Sequence, residues 1–300
     1  LKKLIIDVGY SSCKVKFEDK LHKFPTAVAY AIDTGIAFGE GDVVTFKSEE
    51  YYVGKEAITM ETFNTVDYAF KQNFDPIIIY HILKKLELVD EASRGEIDLT
   101  LTLSLTDWRY KEEYLKIVSN FQVDGINFIF NNITLLPQGA GAYMTYMQGK
   151  PEHPTSTVIV EIGFNTINLL LYEDGKPQKA HSKGFSGHGV SSIVKAFNTY
   201  LESSFSMPFS NSEAQSVFLS GKFMFSGIDR PEVADKIMEL KNQFVKRLFN
   251  SILTSEKKIM ATSEKVILAG GGCYLLEGIN FPANVEFINK PYEFGNILSL

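Results

Sequence analysis

One pattern in this chain is written twice, and it constrains the fold more than any other feature. Residues 4–17, LIIDVGYSSCKVKF, align without a gap on residues 158–171, VIVEIGFNTINLLL. In each copy an apolar run ends in an acid, Asp7 or Glu161. An apolar residue, a glycine (Gly9 or Gly163), an aromatic and two small polar residues follow before a second run begins. The pattern predicts a β-hairpin with a glycine-bearing polar tip. A carboxylate at the strand's end beside freed backbone N–H groups suits phosphate, because successive N–H groups can form an anion-binding nest while the acid handles a metal or a water. Two such turns predict two like domains closing on one polyphosphate. A single copy would read better as an ordinary hairpin whose glycine only makes the turn; the pairing favours the ligand.

In chain order, the first hairpin is followed by a third strand over residues 21–30, with Pro25 at an edge. A mobile loop bearing Gly35, Gly39 and Gly41, a short strand at 51–54 and a helix start at 55–57 come next. Residues 20–70 therefore read as a small subdomain inserted into the first domain. Asp75 and Pro76 predict the cap and first residue of a helix, with Ile78, Ile79, Ile82, Leu83 and Leu86 on its apolar face. Residues 97–105 alternate strictly, which predicts a half-buried strand, followed by a helix to about Phe121 and strands at 126–130 and 132–136. The sequence then turns abruptly to small residues at 136–143. Ala140 and Gly141 allow either a hinge or close helix packing, and Gln138, an amide at a helix start, can orient a water.

Residues 149–154, GKPEHP, mark the domain boundary by their proline and polar content. Asp174-Gly175 is a turn signal closing the second hairpin. A glycine-rich stretch at 184–189 precedes a helix with Val190, Ile193, Val194 and Phe197 at helical spacing. Residues 210–213, SNSE, predict a capping box. Residues 232–259 read as one amphipathic segment, with Val233, Ile237, Leu240, Phe244, Leu248 and Ile252 on one side. A buried strand at 265–269 ends in Gly270, Gly271 and Gly272, which serve either a backbone lying flat against an adenine ring or a tight turn.

Composition limits the function classes. A length of 300 residues suits about two domains of roughly 150 residues each, and 45% hydrophobic against 22% charged residues suits a sizeable core. Thirty Lys+Arg against 36 Asp+Glu give a net charge of −6, which excludes a surface that binds DNA non-specifically and leaves any nucleic-acid role to an adaptor. Cys13 and Cys273 form neither a disulfide framework nor a CxxC pair, which suits a reducing cytoplasm. No apolar run reaches the ~18 residues of a membrane span, and Lys2-Lys3 leads into a strand and not into a signal peptide. The chain reads as cytoplasmic, with no membrane and no direct nucleic-acid partner. It opens on Leu1 without an initiator Met, so one or both ends are expected to be trimmed.

These motifs carry a resemblance. Asp7-x-Gly9-x-x-x-x-Lys14, the stretch Pro137-Gln138-Gly139-x-Gly141-Ala142, Glu161-x-Gly163-x-x-Thr166 and Gly270-Gly271-Gly272 follow the order of the phosphate-1, connecting, phosphate-2 and adenosine motifs of the actin/Hsp70/sugar-kinase superfamily. Within it, the compact length, residues 24–26, 52–57 and 291–296 resemble the ParM/StbA-type plasmid-segregation actins and the archaeal actin-like proteins. The resemblance implies an α/β fold of two ribonuclease-H-like domains with a nucleotide cleft between them: residues 1–150, residues 151–290, and a segment from 291 returning to the first domain. It implies ATP or GTP with Mg²⁺ as cofactors. Asp7 would hold the metal's waters; Gly9, Tyr10, Ser11 and Ser12 would wrap the phosphates through backbone and hydroxyl groups; Lys14 would neutralise their charge. Gly163, Phe164, Asn165 and Thr166 would act in the same way from the second domain. Gln138 and Glu161, with Asn168, would position the attacking water. Gly270, Gly271 and Gly272 would floor the base, and Glu213 would reach the ribose.

Two residues depart from the family pattern: Glu161 and Asn168 stand where plasmid actins carry Asp. Glutamate keeps the charge but adds a methylene, and a misplacement of about 1 Å can cost on the order of 10²-fold in rate. The Gly-Leu-Pro expected after the strand at 97–105 is replaced by residues 104–107, SLTD. Three functions remain open: a filament former that hydrolyses nucleotide, with itself and a DNA-bound adaptor as partners; a small-molecule kinase; and a hydrolysis-poor nucleotide-binding scaffold.

Overall fold

The computed structural model describes residues 1–31, 42–58, 60, 62–63 and 65–300. The loop expected around Gly35, Gly39 and Gly41 lies outside these residues. The chain divides into two units, one of residues Leu1–Pro151 with Ile288–Leu300, the other of Glu152–Phe287.

In the first unit, β1 (Lys2–Val8), β2 (Ser12–Phe17) and β3 (Lys20–Pro25) form an antiparallel meander. The stretch read as one strand over 21–30 is split: β3 stays in the main sheet, whereas β4 (Val28–Tyr30), β5 (Val43–Phe46) and β6 (Glu49–Val53) make a separate sheet in the order β4-β6-β5. The separate sheet thus begins at Val28, while residues 20–25 belong to the main sheet. Pro25, which cannot donate to a ladder, ends the edge strand and marks the switch.

A short helix, α1 (Lys55–Ile58), precedes α2 (Tyr68–Lys85). Here the expectation of a helix capped by Asp75 is corrected. Asp67 is the N-cap, accepting from the Phe70 N–H at 3.0 Å, and Pro76 lies inside the helix. Asp75 is instead wholly buried and takes the Tyr114 hydroxyl at 2.7 Å. The helix is held by Ile77, Ile78, Ile79, Ile82 and Leu83, all buried, each contributing about 1.5–3 kcal/mol relative to exposure. After α3 (Val89–Ser93) and β7 (Ile97–Leu103), α4 (Lys111–Ser119) ends two residues before the expected Phe121. Asn120 to Val123 form β8, which pairs with β9 (Ile126–Ile129) across Asp124 and Gly125, both at positive φ. An Asp-Gly hairpin turn wins there over helix continuation. Strand β10 (Asn132–Pro137) and helix α5 (Ala140–Met147) complete the unit. Its sheet runs β10-β7-β1-β2-β3, with β1, β7 and β10 parallel. From Leu4 to Val8, β1 is buried at every residue, as a strand covered on both faces must be.

In the second unit, β11 (Ser156–Ile162), β12 (Thr166–Glu173) and β13 (Lys176–Ser186) form another meander. Asp174 and Gly175 at positive φ make the expected turn between β12 and β13. Helices α6 (Ser191–Phe205) and α7 (Asn211–Ser220) follow, then a two-stranded ribbon of β14 (Met224–Phe225) and β15 (Ile228–Asp229). The long segment from 232 is not one α-helix: α8 (Glu232–Arg247) passes into a π-turn at Leu248–Ile252 and a 3-10 turn before α9 (Lys257–Thr262). Val233, Ile237, Leu240, Phe244 and Leu248 form its buried stripe as the spacing predicts. Strands β16 (Lys265–Ala269) and β17 (Val285–Phe287) close the sheet in the order β13-β12-β11-β16-β17, with β11, β16 and β17 parallel. The two sheets therefore share one topology, and the two aligned hairpins occupy the same place in each.

Candidate functional site

In the first unit, Asp7 faces Lys14 across the hairpin and Thr102 on the parallel strand β7. Its carboxylate is buried, and Oδ1 accepts from the Thr102 hydroxyl and from Gln138 Nε2, the latter at 2.8 Å. Gln138 is fixed in turn by its own N–H, which donates to the Leu103 carbonyl at 2.8 Å. Asp7 Oδ2 makes no hydrogen bond among the described residues. At the tip, a Cβ on Gly9 would lie 2.7 Å from the Ser12 carbonyl oxygen and 2.8 Å from Lys14 Nζ, so only glycine fits. Thr26 pins the tip from below: its hydroxyl donates to the Gly9 carbonyl at 2.6 Å and its N–H to the Ser11 carbonyl at 3.1 Å. Ser11 is half-buried and Ser12 buried.

Within this turn the Tyr10 hydroxyl donates to Asp107 Oδ2 at 2.5 Å, so of the backbone and hydroxyl groups expected around phosphate Tyr10 brings its backbone alone. Burial and the neighbouring Asp107 carboxylate push the phenol's pKa far up, so it remains a donor. Residues 104–107 find their use here, since Ser104 and Asp107 are buried and Ser104 also donates to Asp107, at 3.2 Å.

In the second unit, Glu161 faces Asn168 across the hairpin, the place that Lys14 holds opposite Asp7. Glu161 and Asn168 are both buried, and Asn168 Nδ2 donates to Glu161 Oε2 at 2.8 Å. The Gly163 N–H, expected to serve a ligand, donates to the Thr166 carbonyl at 2.8 Å and closes the turn. The carbonyls of Gly163, Phe164 and Asn165 accept from the N–H groups of Val190, Ser191 and Gly189 at 3.2, 2.7 and 3.2 Å. Helix α6 thus starts on this turn and satisfies there the N–H groups that a helix start leaves over. A Cβ on Gly189 would come within 2.5 Å of the Gly163 and Phe164 carbonyl oxygens, which explains a glycine at that junction.

The glycine run after β16 divides by role. Gly270, at φ +87°, lies where a Cβ would meet the Ile162 carbonyl at 2.5 Å and Glu161 Oε1 at 2.9 Å; one on Gly272 would meet Ile162 Cγ2 at 2.2 Å. These two pack against the end of β11, while Gly271 is exposed. Glu213, expected at the ribose, stands at the start of α7. Its carboxylate accepts from the Ser210 N–H and hydroxyl, both at 2.7 Å, in the capping box that starts α7. The first unit thus brings Asp7, Gly9, Lys14 and Gln138 together, and the second brings Glu161, Gly163, Asn168 and Gly270 together; Glu213 is committed elsewhere.

Sequence reasoning missed the groups that support the first turn: Thr26, Thr102, Asp107 and Lys71, whose ammonium donates to the Val8 carbonyl. For Lys71 a signal was present, namely a Lys and an Asp four apart, on one face of a helix otherwise rich in buried isoleucine.

Residues 6–141 match the family model described as the N-terminal domain of actin-like proteins, and residues 159–279 match that of the archaeal MreB-like actin homologue, C-terminal. The chain belongs to the actin-like proteins. Among solved structures, this actin-like chain is similar to the ParM of a 15-stranded filament from Clostridium botulinum, at 18% identity over 99% of this chain and 97% of that one, with a TM-score of 0.80. It is similar to Ta0583, an archaeal actin homologue in complex with ADP, at 20% identity over 100% and 97%, with a TM-score of 0.73. Bacillus thuringiensis ParM with ATP gives 16% identity over 100% and 96%, with a TM-score of 0.68. No curated protein matches the chain in sequence. Among the described residues, no helix of this actin-like protein is long and apolar enough to cross a membrane.

Proposed function

We propose that this actin-like protein binds ATP or GTP with Mg²⁺, assembles with the nucleotide into filaments of its own copies, and hydrolyses it, acting in the cytoplasm in DNA segregation or as cytoskeleton, with a DNA-bound adaptor as partner. The observation that carries the reading is the repeated hairpin: an acid, Asp7 or Glu161, at the same register position of two sheets of one topology, each held by a side-chain amide. Similarity to a filament-forming ParM and to nucleotide complexes of relatives supports it.

The residues of the first turn fit the nucleotide. Asp7 Oδ2 is uncommitted among the described residues, Gly9 has no side chain where a phosphate would approach, and the Lys14 ammonium lies beside it. Asp7 would hold the metal through its waters; Lys14, Ser11 and Ser12 would meet the phosphates. Bound Mg²⁺ supplies charge neutralisation. No cluster of three or more His, Cys, Asp or Glu side chains occurs among the described residues, and Mg²⁺ in nucleotide sites is held by one or two carboxylates and the phosphates, not by a protein cage. Gln138 and Glu161, the latter steadied by Asn168, would orient the attacking water. Gly271 is the residue of its run left to face a base.

Light scattering and sedimentation with ATP, GTP, ADP and a non-hydrolysable analogue test the proposal. Polymer above a critical concentration with triphosphate, lost as phosphate is released, is expected. Protein that stays monomeric with every nucleotide and phosphorylates a metabolite would replace it with a kinase.

A further inference from the structure

The side chain of Lys71 is 2% exposed, and its ammonium reaches three groups. It donates to the Val8 carbonyl, lies 3.8 Å from Asp75 Oδ2, and sits 5.0 Å from the centroid of the Tyr10 ring. Val8 and Tyr10 are the two neighbours of Gly9. A buried ammonium is unfavourable unless paired and hydrogen-bonded, and packing alone would be served by Met or Leu at this place on a largely apolar helix. Asp75 leans the other way along the same network: Tyr114 donates to its Oδ2, and its Oδ1 is buried with no hydrogen-bond partner. The Tyr10 ring, under the Lys71 cation, is anchored at its far end by Asp107. Both flanks of Gly9 are therefore fixed from inside the core, one through its carbonyl and one through its ring.

We infer that Lys71 is a positioning residue for phosphate binding: by holding the Val8 carbonyl and the Tyr10 ring, it keeps the turn at Gly9 in its binding shape before any nucleotide arrives. The inference rests on the reading that this turn binds a nucleotide. Pre-organisation of this kind acts by removing an ordering cost that binding would otherwise bear. The competing account is that Lys71 only neutralises Asp75.

Two variants separate these accounts. Lys71→Met with Asp75→Asn removes both charges, so no unpaired buried ion remains to unfold the protein. Asp75→Asn alone leaves Lys71 on the Val8 carbonyl but without its carboxylate, so it costs stability, and its binding is read on protein shown by its own urea midpoint to be folded at the titration temperature. The double variant is expected to keep a near wild-type unfolding midpoint, to bind Mg-ATP about 10- to 100-fold more weakly, and to exchange the amide hydrogens of Gly9, Tyr10 and Ser11 faster in the nucleotide-free protein. Asp75→Asn alone is expected to bind Mg-ATP as the wild type does. The inference is overturned if the double variant binds and exchanges like the wild type, or if Asp75→Asn alone weakens binding as much as the double variant. If the wild type binds neither Mg-ATP nor Mg-GTP, the nucleotide reading fails by itself. Amide exchange then still decides the mechanical claim, with faster exchange in the double variant supporting it and unchanged exchange overturning it.

Discussion

Gln138 and Asp7, 131 residues apart in the chain, are joined by a side-chain hydrogen bond of 2.8 Å from the amide nitrogen to Oδ1. The orientation of the amide is thereby set by the carboxylate, so the acid proposed to hold a metal's waters also aims the group proposed to orient the attacking one.

Gln138→Leu should therefore lower phosphate release from assembled protein by about 10²-fold while changing nucleotide affinity much less, since Thr102 still supports Asp7. Single-turnover release and equilibrium titration on the same protein check this. A loss of affinity as large as the loss of rate would assign Gln138 to binding.

Removing either charge at the first turn should act mainly on affinity. Asp7→Ala and Lys14→Ala are each expected to weaken Mg-ATP binding by about 1–3 kcal/mol, the range for charge-assisted contacts. Titration with a fluorescent ATP analogue reads both, and wild-type affinity in the pair would remove this turn from the site.

At the second turn the carboxylate is held by Asn168, whose amide reaches Glu161 Oε2 at 2.8 Å. Glu161→Asp draws the carboxylate back by a methylene and stretches that bond, so phosphate release should slow. Glu161→Gln, which removes the charge, should be nearly inactive. A faster Glu161→Asp would show that the longer side chain holds the water off line, and rates unchanged by both substitutions would exclude Glu161 from hydrolysis.

Two buried groups of the first unit give stability opposite dependences on pH. Burial pushes the His81 imidazole down to about 4 from 6.5. Between those values the unfolded chain binds a proton that the folded chain refuses, and stability falls as pH falls, by at most about 1.4 kcal/mol per pH unit. Burial raises the Asp75 carboxyl to about 6 from 3.8. Its contribution is present at low pH and is lost as pH rises through 6. Urea midpoints between pH 7 and 5 should thus fall more steeply in Asp75→Asn than in the wild type, and less steeply in His81→Gln. Equal slopes in all three would assign the pH dependence to other groups.

Much of this was legible in the sequence because it is written in local patterns. The hairpin tips, the strict alternation of 97–103, the capping box at Ser210 and the turn at Asp174-Gly175 each depend on residues a few places apart. What was not legible depends on partners far along the chain. Nothing near Tyr10 says that its hydroxyl is taken by Asp107, 97 residues away, and Asp75-Pro76 imitates a helix start although Asp67 caps the helix and the buried Tyr114 donates to Asp75. Similarly, the Gly163 N–H is spent within its own turn, and the glycines at 270 and 272 are required by Ile162 from another strand.

Residues from Ile288 onward return to the first unit. The Gly139 N–H donates to Asn296 Oδ1 at 2.7 Å, the Thr145 hydroxyl to the Gly295 carbonyl at 3.0 Å, and Lys16 to the Leu298 carbonyl at 2.7 Å. During synthesis on the ribosome, the sheet of the first unit emerges before the second unit but waits for residues 288–300 before the start of α5 and the face around Ile5 can be covered. The second unit is continuous and can close as soon as it has emerged. At about 5–20 residues per second the wait is roughly 7–30 s, long enough for a chaperone to bind the open unit. Of the two units, the one begun earlier is therefore the one completed later.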